Sequence, residues 1–91
     1  MQTSATRIVI VRNPQGLHLR AAMAIGLTAR PFESRIELVR GEQRVEATDW
    51  LQILSLAAEP GTQLVLEANG RDAAPALEAL VRLFAENFGE E

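Results

Sequence analysis

Cysteine and tyrosine are absent from the sequence, and histidine occurs once, at position 18. Without cysteine there are no disulfides, no thiolate chemistry and no cysteine-ligated zinc, and one histidine is too few for a metal site built from several histidines. A large excess of either charge is also missing: the net charge is −3, and the arginines are spread along the chain. This pattern lacks the basic stripe of a nucleic-acid-binding protein, so we expect no nucleic-acid partner and no metal.

Long hydrophobic runs are missing as well. The segment 1–6 is short and polar, without the apolar centre of a signal peptide, and no later stretch approaches the length of a membrane span. We therefore expect a cytoplasmic protein with no direct membrane insertion. The 91 residues, 47% of them hydrophobic, are enough for one core, and no linker divides them, so residues 1–91 are predicted to form a single domain.

The order of the local patterns predicts a mixed fold. Runs rich in β-branched residues, or alternating between polar and apolar residues, predict strands at 7–12, 35–39, 44–47 and 63–68. Helix-favouring stretches bounded by turn or cap signals predict helices at 19–30, at about 48–57 and after residue 72. The order β-α-β-β-α-β-α predicts an α+β fold, with four mostly antiparallel strands and helices on one face.

The clearest helix signal follows Asp72. This residue is a suitable N-cap, and Pro75 falls in the first turn, where a missing backbone N–H costs little. Apolar residues then recur at intervals of three and four, which predicts one helix face packed on the core. The residues of this stripe are Leu77, Leu80, Val81, Phe84 and Phe88.

The one histidine lies at a junction between predicted elements. Pro14 and Gly16 predict a turn, and His18 directly precedes the first predicted helix. A helix start offers unpaired backbone N–H groups and the positive end of the macrodipole, which favour an anion and disfavour a protonated ring. A neutral His18 is therefore suited to attack a phosphoryl group, with Arg20 pairing with the phosphate oxygens and Gly16 shaping the turn.

The same segment has a plainer interpretation. A single histidine near a helix start is more often an exposed residue or a helix cap than a phosphoryl acceptor, because short motifs have many false positives. From the residues of this segment alone, both interpretations stand.

A resemblance to a known family, carried by residues along most of the chain, favours phosphoryl transfer at His18. Asn13, Gly16-Leu17-His18 and Arg20 resemble the active-site signature of HPr, the histidine-containing phosphocarrier family of the bacterial sugar phosphotransferase system. The resemblance extends from about Arg7 to Glu90. Further matching segments are 32–36, 54–56, 61–62, 69–72, 76–80 and 88–90.

The resemblance implies an open-faced βαββαβα sandwich and a monomeric phosphoryl carrier without a cofactor. It implies that enzyme I, using phosphoenolpyruvate, phosphorylates His18 on the ring nitrogen nearer the backbone, and that an IIA-type domain then receives the group. Such a protein is a stoichiometric carrier in a phosphotransferase chain and not a stand-alone catalyst. Arg20 is implied to stabilise the phosphoryl group, and the phosphate-binding residues implied are Gly16, Arg20 and Ala21.

The resemblance also aligns the predicted short helix with a partner-binding surface. Trp50, the only tryptophan and a departure from the family pattern, falls with Leu51 and Leu54 on an exposed apolar patch that family partners bind. Ile53 and Leu56 have the spacing to face the core. Taken without the resemblance, the whole amphipathic stretch is interpreted as core.

Two further positions depart from the family pattern. Ala21 stands where the family usually has proline, and the absence of that proline is expected to loosen the site slightly without abolishing phosphorylation. Asp49 stands at the regulatory position that is a serine in many members, so this position cannot be phosphorylated. A simple N-cap is the favoured explanation for Asp49, and permanent imitation of a phosphorylated serine, which would weaken docking with enzyme I, is the alternative.

Other functions are weighed against the carrier. One is an HPr-like regulatory protein that acts mainly by docking to a partner, which Ala21 and Asp49 permit and the His18–Arg20 pair argues against. Another is a small-molecule-sensing βαββαβ domain, which leaves the segment 16–20 unexplained. A self-contained enzyme is least favoured, because one histidine and no cofactor motif leave few groups for a site. The sequence does not select among a sugar, a nitrogen-related and a regulatory branch.

Overall fold

The computed structural model describes residues 3–90, and within them the predicted order of strands and helices is confirmed. A short 3₁₀ turn, Asn87–Gly89, follows the last helix. The strands are β1 Ser4–Ile10, β2 Arg35–Arg40, β3 Gln43–Glu46 and β4 Gln63–Asn69, and the helices are α1 Leu19–Ala29, α2 Trp50–Ser55 and α3 Ala73–Ala85.

The four strands form one sheet in the order β1-β4-β2-β3, with every neighbouring pair antiparallel. The prediction of strand 7–12 is wrong at both ends, because β1 pairs with the full length of β4, from Ser4 opposite Asn69 to Ile10 opposite Gln63. Sequence propensity did not indicate the polar start of this strand, which depends on a partner far along the chain.

The core lies between the helices and one face of the sheet. Helix α3 packs on β1, β4 and β2, and α1 lies against both α2 and α3. Fully buried side chains come from all layers, and burying each one contributes about 1.5–3 kcal/mol relative to leaving it exposed. The largest are Ile25, Leu38, Ile53, Leu56, Leu64, Leu66, Leu77 and Leu80.

The other sheet face carries charged pairs and exposed apolar residues. Arg44 on β3 contacts Glu37 on β2 at 3.0 Å and Glu67 on β4 at 2.5 Å. The hydrogen bond to Glu67, followed by the one to Glu37, raises the pKa of Arg44 above its ordinary value. Ile8 and Ile10 on the edge strand β1 are exposed. This open face agrees with the predicted one-sided sandwich, and residues 3–90 contain no helix with the length and hydrophobicity to span a membrane.

The prediction that Asp72 caps α3 is confirmed for its position only. Asp72 occupies the N-cap position, but its side chain makes no capping hydrogen bond. Its carboxylate instead accepts hydrogen bonds from the backbone N–H groups of Glu33 and Ser34, both at 2.9 Å, and from Ser34 Oγ at 2.5 Å. Both carboxylate oxygens therefore have donors from the segment before β2, and Asp72 anchors that segment.

The apolar stripe of α3 faces the core as predicted, with Val81 partly buried and the other four residues buried, although the helix is shorter than the stripe. Phe88 lies beyond the last helical residue, with φ of 58°. Its ring still reaches the core, 7% exposed, and packs edge-to-face on Phe84 with ring centroids 4.8 Å apart. Pro75 lies in the first turn of α3, as predicted.

Candidate functional site

The loop between β1 and α1 places His18 at the start of the helix. Gly16 has φ of +71°, and a Cβ atom there would lie 2.5 Å from the carbonyl oxygen of Ala58, so only glycine fits. Next to it, Leu17 N–H donates to the same Ala58 oxygen at 2.9 Å, and His18 N–H donates to Gly16 oxygen at 2.9 Å. The loop is therefore held against the segment that follows α2, and His18 has a defined position.

His18 is the N-cap of α1, and both of its ring nitrogens have partners. Nδ1 accepts a hydrogen bond from the backbone N–H of Arg20 at 3.2 Å. Nε2 lies 2.5 Å from Oε2 of Glu90, a residue 72 positions along the chain. The His18 side chain is 26% exposed, which leaves the ring accessible from one side.

An open depression of about 460 Å³ surrounds the ring. It is lined by Pro14, Gln15, His18, Leu19, Arg20 and Glu90. The Arg20 guanidinium is exposed and has no hydrogen bond or ion pair to any residue in 3–90, so it is free to swing over an anion at His18. The Ala21 N–H precedes the first helical bond, which runs from Ala22 N–H to His18 oxygen. The structure thus brings together four predicted residues: Gly16, His18, Arg20 and Ala21.

Two residues to which the sequence analysis assigned no role complete the site. Asn13 is fully buried, and its amide donates to Gly16 oxygen at 2.7 Å and to Glu90 Oε1 at 3.3 Å. Glu90, whose side chain is 15% exposed, therefore contacts Asn13 with one carboxylate oxygen and His18 with the other. No local pattern signals this contact, because the partners are remote in sequence. Both residues were noticed only as matches to a family pattern.

The residues of α2 divide between the surface and the core. Trp50 and Leu51 are 42% and 64% exposed, and Leu54 is partly buried against the core. Ile53 and Leu56 are buried, in the orientation that their spacing allows. These exposed side chains lie outside the depression around His18.

Helix α1, which packs beside α2, also exposes apolar side chains that the sequence analysis did not single out. They are Leu19, Met23 and Leu27, each close to half exposed or more. Leu19 also lines the depression around His18, so an apolar surface begins at the histidine itself.

Asp49 caps α2 as predicted. One carboxylate oxygen accepts from Gln52 N–H at 3.2 Å and the other from the Gln52 side-chain amide at 3.1 Å. The first of these contacts caps the helix, and the second holds the Asp49 carboxylate in the capping position. They are separate from the groups that surround His18.

Comparisons with known proteins agree on one family. The model of the family described as "PTS HPr component phosphorylation site" matches residues 5–86. The phosphocarrier protein HPr of Treponema pallidum is 40% identical over 85 residues, which are 93% of this chain and 97% of that protein. The crystal structure of HPr from Thermoanaerobacter tengcongensis superimposes with a TM-score of 0.91 at 34% identity, covering 96% of this chain and 98% of that one.

A longer relative matches over only part of its length. The phosphoryl donor subunit DhaM of the phosphoenolpyruvate-dependent dihydroxyacetone kinase of Providencia stuartii is 36% identical over 81 residues. This match covers 89% of this chain but 17% of the DhaM chain. The chain therefore spans about one sixth of that relative, whereas it matches HPr almost from end to end.

Proposed function

The chain belongs to the HPr family of phosphocarrier proteins, and from that premise we propose that it accepts a phosphoryl group on Nδ1 of His18 and passes it on. The single observation that carries the proposal is the hydrogen bond from Arg20 N–H to His18 Nδ1. Because a backbone N–H can only donate, Nδ1 must hold a lone pair, and that lone pair is the nucleophile.

The reaction needs few groups. The Nδ1 lone pair attacks phosphorus, the N–P bond forms, and the bond to the donor's leaving atom breaks with its electron pair. The Arg20 N–H then turns from the ring nitrogen to a phosphoryl oxygen, beside the Ala21 N–H, which has no acceptor among residues 3–90. The exposed Arg20 guanidinium supplies a forked pair of donors to the remaining oxygens. Gly16 contributes by shaping the turn, because its own N–H donates to Asn13 oxygen.

The donor is proposed to be phosphorylated enzyme I, and the acceptor an IIA-type domain. Exposed Trp50 and Leu51, with Leu54 at their base, are proposed as docking residues, because large exposed side chains beside a half-buried one are typical binding anchors. Leu19 and Met23 of α1 extend this docking surface towards His18. An open depression and a convex helical side suit brief protein partners better than a small-molecule pocket does.

Asp49 is proposed to act as the N-cap of α2, at a position that offers no hydroxyl for regulatory phosphorylation. Its two hydrogen bonds to Gln52 support this role. The alternative is a regulatory protein that acts mainly by docking to a partner, in which His18 is not used for phosphoryl transfer. The monomeric state expected from the resemblance stays a prediction, which light scattering would check.

The test is phosphorylation by phosphoenolpyruvate and the enzyme I of the same organism, followed by intact-mass spectrometry. We expect the protein to gain one acid-labile phosphoryl group, and we expect a folded His18→Ala variant to gain none. Addition of an IIA-type domain should then remove the group. A folded wild-type protein that stays unmodified would overturn the carrier function and favour the regulatory one.

A further inference from the structure

We propose that Glu90 is a positioning residue for phosphoryl transfer, which holds the proton on Nε2 of His18 and stabilises the positive charge that the ring gains. This inference rests on the proposed function. Glu90 is the only carboxylate in residues 3–90 within ion-pair distance of the ring, with Oε2 at 2.5 Å from Nε2. It makes this contact while its side chain is largely buried.

The two contacts of the ring fix one tautomer. Arg20 N–H donates to Nδ1, so Nδ1 carries no proton. An ionised carboxylate only accepts hydrogen bonds, so the contact with Glu90 requires the proton to be on Nε2. We therefore assign the neutral ring with its proton on Nε2. Arg20 and Glu90 approach opposite nitrogens, and together they leave the lone pair on the atom proposed to attack phosphorus.

The charge balance of the reaction gives Glu90 its second role. When the neutral ring forms its N–P bond, Nε2 keeps its proton and the ring becomes positively charged. A carboxylate already in place stabilises this charge as it develops. In the onward transfer the N–P bond breaks, the electron pair returns to Nδ1, and the same neutral tautomer is restored. Loss of the Nε2 proton would instead leave a neutral phosphorylated ring, which is a poorer leaving group. With Glu90 in place, no proton has to move in either direction.

The chain after α3 is shaped to deliver Glu90 to the ring. Three consecutive residues, Asn87, Phe88 and Gly89, have positive φ values of 52°, 58° and 80°. A phenylalanine in this region is strained by about 1–3 kcal/mol, and burial of the Phe88 ring against Phe84 offsets that strain. The resulting turn brings the carboxylate back over the loop between β1 and α1.

Asn13 holds the other carboxylate oxygen. Its amide donates to Glu90 Oε1 at 3.3 Å from a fully buried position. A surface glutamate without such a partner would sample many rotamers. The contact with His18 is therefore supported from two sides, by the buried turn and by Asn13.

The experiment compares Glu90→Gln and Glu90→Ala with a matched charge control, Glu86→Gln. Glu86 is exposed, four residues earlier, and its side chain has no hydrogen bond or ion pair to any residue the structure describes. Phosphorylation rates are measured against donor concentration. We expect both Glu90 variants to lose about tenfold in maximal rate, the order expected for one charge-assisted hydrogen bond, with the half-saturating donor concentration unchanged. The Glu86→Gln variant should match the wild type.

A second readout does not depend on phosphoryl transfer. In ¹⁵N-histidine-labelled protein, we expect an Nε2-bound proton that exchanges slowly with water in the wild type and in Glu86→Gln. In Glu90→Ala this proton should exchange rapidly, whereas Glu90→Gln should retain part of the protection, because its amide oxygen still accepts. Gln at this position therefore separates the charge from the hydrogen bond.

The outcomes separate the two proposals. If the wild type is phosphorylated on His18 and both Glu90 variants are equally fast, the role of Glu90 is wrong and the carrier function stands. If the wild type takes up no phosphoryl group, the carrier function fails. A rapidly exchanging Nε2 proton in the wild type would overturn the positioning by Glu90 independently of any rate.

Discussion

Two carboxylates at opposite ends of α3 reach across the fold, and they differ in what they hold. Asp72, before the helix, accepts hydrogen bonds from Glu33 N–H and from Ser34 N–H and Oγ. Glu90, after the helix, contacts the Asn13 amide and the His18 ring. The partners of Asp72 do not titrate in the ordinary pH range, so its contacts fix the architecture. One partner of Glu90 is the proposed nucleophile, so its contacts bear on the chemistry.

The contacts of both carboxylates also depend on a nearby glycine that packs tightly against another segment of the chain. A Cβ atom at Gly70 would lie 2.6 Å from Ser34 Oγ, the atom that donates to Asp72. A Cβ atom at Gly16 would lie 2.5 Å from Ala58 oxygen, in the loop that carries His18. The regions around the two ends of α3 therefore both combine a carboxylate with a tightly packed glycine, but for different purposes. Substitutions that damage one end and leave the other intact test this division.

The largest loss of stability should come from replacing a residue that supports both ends of α3. Phe84 is buried on α3 and packs against Phe88, which precedes Glu90. Replacing Phe84 with Ala should destabilise the fold by about 3–5 kcal/mol, because it removes a buried ring and leaves a cavity. Urea unfolding measures this loss. Glu78→Ala, at an exposed position on the same helix, should stay within about 0.5 kcal/mol of the wild type. Near-wild-type stability of the Phe84 variant would contradict the described core.

The next effect separates the two glycines. Gly16→Ala and Gly70→Ala combine a positive φ with a backbone or side-chain clash, whereas Gly41→Ala at φ of +60° meets no atom within 4 Å. The control should lose about 1–2 kcal/mol from its backbone conformation alone, and the other two should lose more. Only Gly16→Ala should also slow phosphorylation of His18. Equal rates in Gly16→Ala and Gly70→Ala, each corrected for its folded fraction, would contradict the division between the two ends.

Local patterns in the sequence were enough for the order of the elements and for the core-facing stripe of α3. Asp49 was identified as a possible cap for α2, and the spacing of Ile53 and Leu56 allowed them to face the core, where they are buried. Each of these depends on neighbours within a turn or two, where periodicity and capping preferences carry the information. The start of β1 was missed because strand limits depend on the partner strand, β4.

The contacts that distinguish the two ends of α3 could not be predicted in this way. Asp72 is a residue type that often caps helices, yet its carboxylate accepts from Glu33 and Ser34, which lie 39 and 38 residues away. The three hydrogen bonds from these residues replace a bond to the start of the helix. Glu90 and His18 are 72 residues apart. Spacing rules describe residues that share an element, whereas these pairs meet only because the sheet and helices pack together.

The pH dependence of stability gives a third test. The hydrogen bond from Ser34 Oγ, followed by the one from Glu33 N–H, lowers the pKa of Asp72 below its ordinary 3.8. Because the pKa is lower in the folded state, the stability from this carboxylate is complete above the ordinary value and is lost as the pH falls through the folded value. We expect Asp72→Asn to unfold more easily at neutral pH. Its stability should also fall less steeply than that of the wild type below about pH 4.

Ser34→Ala serves as the matched variant for this test, since it removes the first of these causes and keeps the charge of Asp72. Urea unfolding at a series of acid pH values should place it between the wild type and Asp72→Asn. Phosphorylation of His18 at neutral pH should be unchanged in both variants after correction for the folded fraction. Parallel acid profiles for the wild type and Asp72→Asn would mean that Asp72 does not anchor the fold as described.

The smallest expected effect concerns a third carboxylate, Asp49, which faces neither a remote loop nor the His18 ring. Its bonds are local, both to Gln52. Asp49→Ala should cost about 1 kcal/mol through loss of the cap, whereas Asp49→Ser should cost only a few tenths, because serine caps helices about as well. If Asp49 is only a cap, phosphotransfer from enzyme I is equally fast in the wild type and in Asp49→Ser. A faster Asp49→Ser variant would instead mean that the aspartate imitates a phosphorylated serine and weakens docking, in which case charge on α2 acts on the chemistry without contacting the histidine.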